Sequence, residues 1–254
     1  MIASAMLAMQ VLSSSAAVQP STKWGVDYGE DRCVITRSFT TAGESAILAI
    51  DANPVSGRGE MLLISPHIIK KSTRASAKVT VTPGAAELSL SWLATQNRDG
   101  TLTARLSVDN VAWPKILQAT EMSVDGLSEG KIIIPLRGID KAVEAAKVCG
   151  RALLRSWSAD PDAMIEAPQG RNPPSWISYT DYPAEALRNN QQGIVKTITT
   201  VNAKGQPTAC RTVVSSGFPA LDMATCKAIM KRAHYDAADR ETRYEYSRIA
   251  WLLP

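Results

Sequence analysis

Histidine is scarce in the 254 residues: only His67 and His234 occur, and neither has a second ligand at metal-binding spacing. That excludes a histidine-built metal centre. Cysteine is sparse too, and Cys33, Cys149, Cys210 and Cys226 show none of the spacings of a zinc ribbon or a redox Cys-x-x-Cys pair. There is no dense Lys/Arg stripe, because 28 basic and 24 acidic residues spread along the chain give a formal charge of +4 and a pI near 8.9. No nucleic-acid partner is expected on those grounds. No Gly-x-Ser-x-Gly elbow surrounds Ser215 and Ser216, and Gly57-Arg58-Gly59 is too short for a phosphate loop. Internal repeats and low-complexity tracts are missing as well. What remains, 45% hydrophobic and 20% charged, is the composition of a globular protein and suffices for one large domain or two small ones.

The most apolar stretch opens the chain as MIASAMLAMQVLSSSAAVQPS and ends in small residues that a signal peptidase cuts. Residues 1–20 therefore read as a secretory signal segment, without the usual basic start; a plain N-terminal tail is the alternative. Serines dilute the run below the ~20 apolar residues that a spanning helix needs. An even number of cysteines downstream of an export signal points to disulfides in an oxidising compartment, with three pairings open. The alternative is four buried free thiols in a cytosolic protein.

Residues 24–157 read as a β-rich domain closed by a helix. Short β-prone runs such as CVITRSF (33–39), AILAI (46–50), GEMLLIS (59–65), AKVTVTP (77–83), ELSLSWL (87–93), TLTARLSV (101–108) and GKIIIPL (130–136) alternate with turn signals at Asn53-Pro54, Asp99-Gly100 and Asp125-Gly126. No helix longer than two turns is expected before Arg137. Beyond it Ile139, Val143, Ala146, Cys149, Leu153 and Trp157 fall at helical spacing, with Lys141, Glu144, Lys147, Arg151 and Arg155 opposite them. Cys149 on that apolar face and Cys33 in an early strand predict a helix-to-sheet bridge. Trp92 and Trp113 read as core. Asp27, Glu30 and Asp31 beside Tyr28 form the one acidic cluster from which an enzyme reading of this half would start. Residues 158–175, with four prolines and no period, read as a linker.

Residues 176–254 read as helix, strand, strand, helix, strand. Tyr182-Pro183 opens a helix through AEALRNNQQ, GIVKTITTV and PTACRTVV make a hairpin about Asn202 to Gly205, and a second helix starts near Pro219. Met223, Cys226, Met230 and Ala233 are expected on its apolar face, with Asp222 in its first turn. Cys210 shares a strand face with Thr212 and Val214, so a Cys210–Cys226 bond is expected. RYEYSRIAWLL closes the chain with Ile249, Trp251 and Leu253 on one side. The result is an α+β chain whose second unit is a three-stranded antiparallel sheet with two helices on one face. Ser215, Ser216, Asp222 and His234 have the residue types of a hydrolase site, but a Ser-Gly strand-to-helix turn explains the serines and the helix dipole explains Asp222.

The run YPAEALRNNQQGIVKTITTVNAKGQPTACRTVVSSGFPALDMATCKAIMKRAHYDAA resembles the C-terminal domain of the TonB energy transducers, from the Tyr-Pro helix start to the Ser-Ser-Gly and Leu-Asp of helix two, over about Trp176 to Leu253. The resemblance implies a non-enzymatic periplasmic domain that needs no cofactor. It also implies that the domain binds an outer-membrane TonB-dependent receptor by adding a strand beside the final strand. Carried over residue by residue, the partner-binding set is Tyr179, Thr180 and Asp181 before Tyr-Pro, and Tyr244, Tyr246 and Arg248 in the last strand. The chain departs from the family in having no glutamine before Tyr-Pro and no aromatic-proline pair after helix two. Energy-coupled transport is implied as well, a step for which transducers use a membrane anchor and a long Pro-rich spacer that these residues do not display. Two other roles stay open, an enzyme or ligand binder acting through residues 24–157 and a structural envelope component.

Overall fold

The computed structural model describes residues 19–41, 44–66, 75–127, 130–166 and 176–253. The expected signal segment up to residue 18, His67 and the second half of the expected linker lie outside these residues.

Ten strands form one antiparallel sheet: β1 (Gln19–Pro20), β2 (Gly25–Tyr28), β3 (Cys33–Thr41), β4 (Glu44–Ala52), β5 (Gly59–Ser65), β6 (Ala75–Thr82), β7 (Ala86–Gln96), β8 (Leu102–Leu106), β9 (Glu121–Asp125) and β10 (Ile132–Pro135). Their order is β1-β3-β4-β5-β8-β7-β6-β9-β10, with β2 on β3, and the sheet curls until β1 and β10 touch. Inward residues alternate with polar ones along each strand, as in β7, where Leu90 and Trp92 are buried and Ser89 and Ser91 are exposed. Ile35, Leu48, Ile50, Met61, Leu106, Met122 and Ile134 are fully buried in the concave side.

Two helices close that side. Helix α1 (Ala112–Gln118) buries Trp113 and Ile116, with Asp109 accepting from the N–H groups of Val111 and Ala112 at 3.0 and 2.7 Å. Helix α2 (Ile139–Ser156) buries Ile139, Val143, Ala146, Cys149 and Leu153, the face that the sequence predicts. Cys149 is joined to Cys33 at a Cα separation of 6.1 Å, which fastens α2 to the start of β3. At Gly150 the helix touches the turn after β4 so closely that a Cβ would lie 2.2 Å from the Pro54 carbonyl oxygen.

A second sheet has the order β12-β11-β13, with β11 (Gly193–Asn202) between β12 (Pro207–Val214) and β13 (Thr242–Trp251). Helices α3 (Ala184–Arg188) and α4 (Pro219–Arg232) cover one face, where Tyr182, Ala186, Val195, Leu221 and Trp251 form a small core. The sheet is therefore antiparallel and three-stranded, and the chain is α+β. Cys210 on β12 is joined to Cys226 on α4 at a Cα separation of 5.4 Å.

The buried face of α4 is Leu221, Thr225, Ala228 and Ile229, with Cys226 at its margin, whereas Met223 and Met230 are 67% and 39% exposed. This corrects the expected face by part of a turn. Trp251 donates its indole N–H to the Thr225 hydroxyl at 2.9 Å, so a threonine that reads as polar in sequence satisfies a buried donor. The first helix is also shorter than expected, ending at Arg188 with Asn190 at positive φ.

Candidate functional site

β13 is one of the two edge strands of the small sheet. It pairs with β11 from Thr242↔Asn202 to Trp251↔Gly193 without a register shift. On its other side the Tyr244 carbonyl oxygen accepts from the N–H of Ile165 at 2.7 Å, and Met164 forms a parallel bridge with Tyr244. Because main-chain polar groups alternate in direction along a strand, the N–H and C=O of Tyr246, Arg248 and Ala250 point to the same open side. Among the described residues, no main-chain hydrogen bond from outside the sheet reaches those three. Unpaired groups of this kind are a template for another strand.

The segment that reaches Tyr244 is part of the stretch read from sequence as linker. A single 3-10 turn over Pro161–Ala163 is capped by the Asp160 side chain, and Ala159 and Ala163 are buried. Arg240 donates to the Asp160 carboxylate at 2.8 Å and to the Asp162 carbonyl at 2.6 Å, while Arg151 pairs with the Asp162 carboxylate at 2.9 Å. Ile165 thereby occupies the outward position at Tyr244 and leaves those at Tyr246, Arg248 and Ala250 open.

The predicted residues of β13 share one face, and that face is turned toward the large sheet. Tyr246 stacks on Trp157 with ring centroids 6.1 Å apart, and burial raises its hydroxyl above the usual tyrosine range. Tyr244, Tyr246, Ile198 and Val213 meet Leu154, Ala159 and Met164 in a shared apolar cluster. Arg248 lies 3.8 Å from Asp51 and 3.4 Å from Glu60, two carboxylates directly opposite each other in the β4–β5 pair. Arg105 also holds Glu60, at 2.8 Å. Close by, Lys196 donates to the Asp31 carbonyl at 2.8 Å, and burial lowers its ammonium below the ordinary lysine range. On this strand the structure places main chain toward the edge and side chains against the rest of the protein.

Tyr179, Thr180 and Asp181 form a separate 3-10 turn. Asp181 accepts from the Ser178 N–H at 2.8 Å and pairs with Arg232 at the end of α4, and the backbone bond in particular holds its carboxyl below the usual range. Tyr179 is exposed. No hydrogen bond or ion pair joins this trio to Tyr244, Tyr246 or Arg248 among the described residues.

Ser215 and Ser216 donate to the Asp222 carboxylate at 2.5 and 2.8 Å, and the Ser216 N–H adds a bond of 2.9 Å. These bonds close the strand-to-helix turn that the sequence predicts, a contact for Asp222 beyond the expected dipole role. His234 lies past the other end of α4, whose 14 residues span about 20 Å. Asp31 pairs with Arg32 at 3.7 Å. Among the described residues, no group of three His, Cys, Asp or Glu side chains is placed to hold a metal ion, and no helix is long and apolar enough to cross a membrane. Sequence reasoning misses Ile165, Asp51 and Glu60, which determine what β13 meets. The only sequence signal for Ile165 is an apolar pair, Met164-Ile165, inside an otherwise polar stretch.

Residues 178–251 match the family described as the Gram-negative bacterial TonB protein C-terminal. This family is a non-catalytic, protein-interacting one of the envelope, and the match leaves residues 1–177 uncovered. No curated protein and no solved structure matches the chain.

Proposed function

We propose that the protein is a non-enzymatic, exported protein of the periplasm in which residues 176–254 bind a partner of the outer-membrane TonB-dependent receptor class. Strand addition to β13 supplies the contact, in support of energy-coupled transport. Residues 24–157 form a second domain against which the small sheet rests. The observation that carries this reading is the run of outward main-chain groups at Tyr246, Arg248 and Ala250, which have no protein partner among the described residues. Main-chain bonds at such an edge give affinity with little dependence on side chains.

The test uses the oxidised full chain and synthetic peptides copied from the periplasmic N-termini of outer-membrane receptors. Hydrogen exchange read by NMR is expected to show new protection at the Tyr246, Arg248 and Ala250 amides, and Ala250→Pro, which removes one outward donor, is expected to abolish it. Protection confined to β12, or none anywhere, would refute the reading.

Ile165 competes for the same edge. Ile165→Pro deletes the N–H that Tyr244 accepts, and is expected to tighten peptide binding roughly two- to tenfold, the net worth of one hydrogen bond. Isothermal titration on the parent and the variant measures it, and equal affinities would show that the segment does not compete.

A structural envelope role is the second reading, favoured by the docking of Tyr246 on Trp157 and of Arg248 on Asp51 and Glu60. On that reading the exchange experiment shows no peptide response at all.

A further inference from the structure

Beside the β13 edge lies a cleft of about 910 Å³. Its lining comes from the turn between β4 and β5, from Ser89, Ser91 and Ser107 on the polar face of the large sheet, from Ile165 and Glu166, and from Arg248. Arg248 belongs to both features, since its main chain faces the open side of β13 and its side chain lines the cleft. A strand added to β13 therefore lies along the mouth of this cleft.

The charges in the lining are unequally satisfied. Glu60 is held by Arg105 and Arg248, Lys147 by Glu144 at 2.6 Å, and Asp109 by two N–H groups of α1. Glu166 is exposed at the rim. Two arginines differ from these. The Nε groups of Arg58 and Arg248 are buried and donate no hydrogen bond. Arg248 nonetheless pairs with Asp51 and Glu60 at 3.8 and 3.4 Å, whereas the Arg58 guanidinium has no hydrogen-bond or ion-pair partner among the described residues, only its main-chain N–H reaching Ser56. A buried donor left without an acceptor is costly, and an acceptor that reaches the Arg58 Nε removes that cost. Because Arg248 already has two carboxylates, Arg58 is the guanidinium left for an incoming acceptor, and its Nε and Nη groups form the fork that a two-oxygen carboxylate fits best.

We propose that the cleft is a carboxylate-reading extension of the β13 edge: a partner segment that adds to β13 directs a Glu or Asp side chain inward to Arg58. The first domain then sets specificity while the small sheet supplies main-chain affinity. This inference rests on the edge-binding reading and goes beyond it by assigning the partner an acidic residue and Arg58 the task of recognising it. The serine hydroxyls of Ser89, Ser91 and Ser107 complete a polar floor that accommodates the bound carboxylate.

The test uses the oxidised full chain and fluorescein-labelled ten-residue peptides of alternating Thr and Val in which one Glu, Gln or Lys is placed at each position in turn. Fluorescence anisotropy is expected to find one register in which Glu binds about tenfold or more tighter than Gln, the scale of a charge-assisted hydrogen bond, with Lys weakest. Arg58→Gln is expected to erase the Glu-over-Gln preference while leaving Gln-peptide binding within about twofold, and Arg58→Lys to restore only part of it. Binding that ignores the charge, or a preference that survives Arg58→Gln, overturns the inference and leaves the edge reading standing. No binding by any peptide, together with no response to receptor peptides, removes the edge reading itself and this one with it.

Discussion

Replacing Cys33 and Cys149 together by alanine is expected to lower the unfolding free energy of the oxidised protein by about 4 to 5 kcal/mol, because the bond closes a loop with a sequence separation of 116. The same replacement of Cys210 and Cys226, with a separation of 16, removes a smaller loop and costs less. Cys33 and Cys149 are both buried, so the larger bond is shielded from solvent and held by the packing of α2 on β3. Its effect extends past the first sheet. Helix α2 also supplies Leu154 to the apolar cluster that includes Ile198 and Tyr246, and Trp157 just beyond the helix carries the Tyr246 ring. Loosening α2 therefore weakens the seat of β13 as well as the large sheet. Urea unfolding of parent and double variant under oxidising conditions measures the loss, and parent protein with reductant should move the same way. A loss below about 1 kcal/mol would mean that packing alone fixes α2 and that the cross-link adds nothing to it.

The disulfide partners are legible in the sequence because two periods overlap. Cys149 is in phase with Val143, Ala146 and Leu153, and Cys210 with Thr212, so each must face its own layer. Most strands were legible for the same reason, and β5 and β12 have the expected bounds. Helix α1 was not, because Pro114 reads as a break in VAWPKILQA; proline is tolerated in a first turn, where its missing N–H is not needed. Strand β9 and the short β2 gave too few alternating residues to read. The face of α4 was shifted because methionine counts as apolar in a sequence pattern yet Met223 stands in solvent, while Thr225 enters the core to accept from Trp251.

The edge itself was half legible. Strand alternation puts Tyr244, Tyr246 and Arg248 on one face, but a period names no neighbour. That the neighbour is Trp157, Asp51 and Glu60 depends on how two sheets meet, and none of those contacts spans fewer than 89 residues of sequence (246 − 157). The short run from Asp160 to Ile165 was illegible as structure, since one 3-10 turn has no period. Its hold comes from Arg240 and Tyr244, far along the chain.

Glu245 is expected to make stability fall as pH rises. Its carboxyl lies on the helix-covered side of β13, where burial pushes its pKa from 4.5 up to about 7, while hydrogen bonds from Ser247 at 2.8 and 3.0 Å and from Tyr235 at 3.4 Å oppose that rise. The folded protein thus keeps a proton that the unfolded chain releases above 4.5. The stabilising contribution of the protonated form is fully present below pH 4.5 and is lost as pH rises to about 7, the reverse of a salt-bridged carboxylate. At 1.36 kcal/mol per pH unit the loss amounts to about 3 kcal/mol as an upper bound. Glu245→Gln keeps the shape and removes the titration. It is expected to match the parent at pH 4.5 and to exceed it by about 2 to 3 kcal/mol at pH 8, read from urea unfolding across that range. A parent–variant difference that stays flat between pH 4.5 and 8 would refute the assignment. Glu245 directly precedes Tyr246, where the open part of the edge begins, so the same titration should reach the site. Exchange of the Tyr246 and Arg248 amides is expected to quicken in the parent above pH 7, after correction for intrinsic rates, and to stay level in Glu245→Gln. The edge is then firmest in acid, where the carboxyl beneath it is neutral.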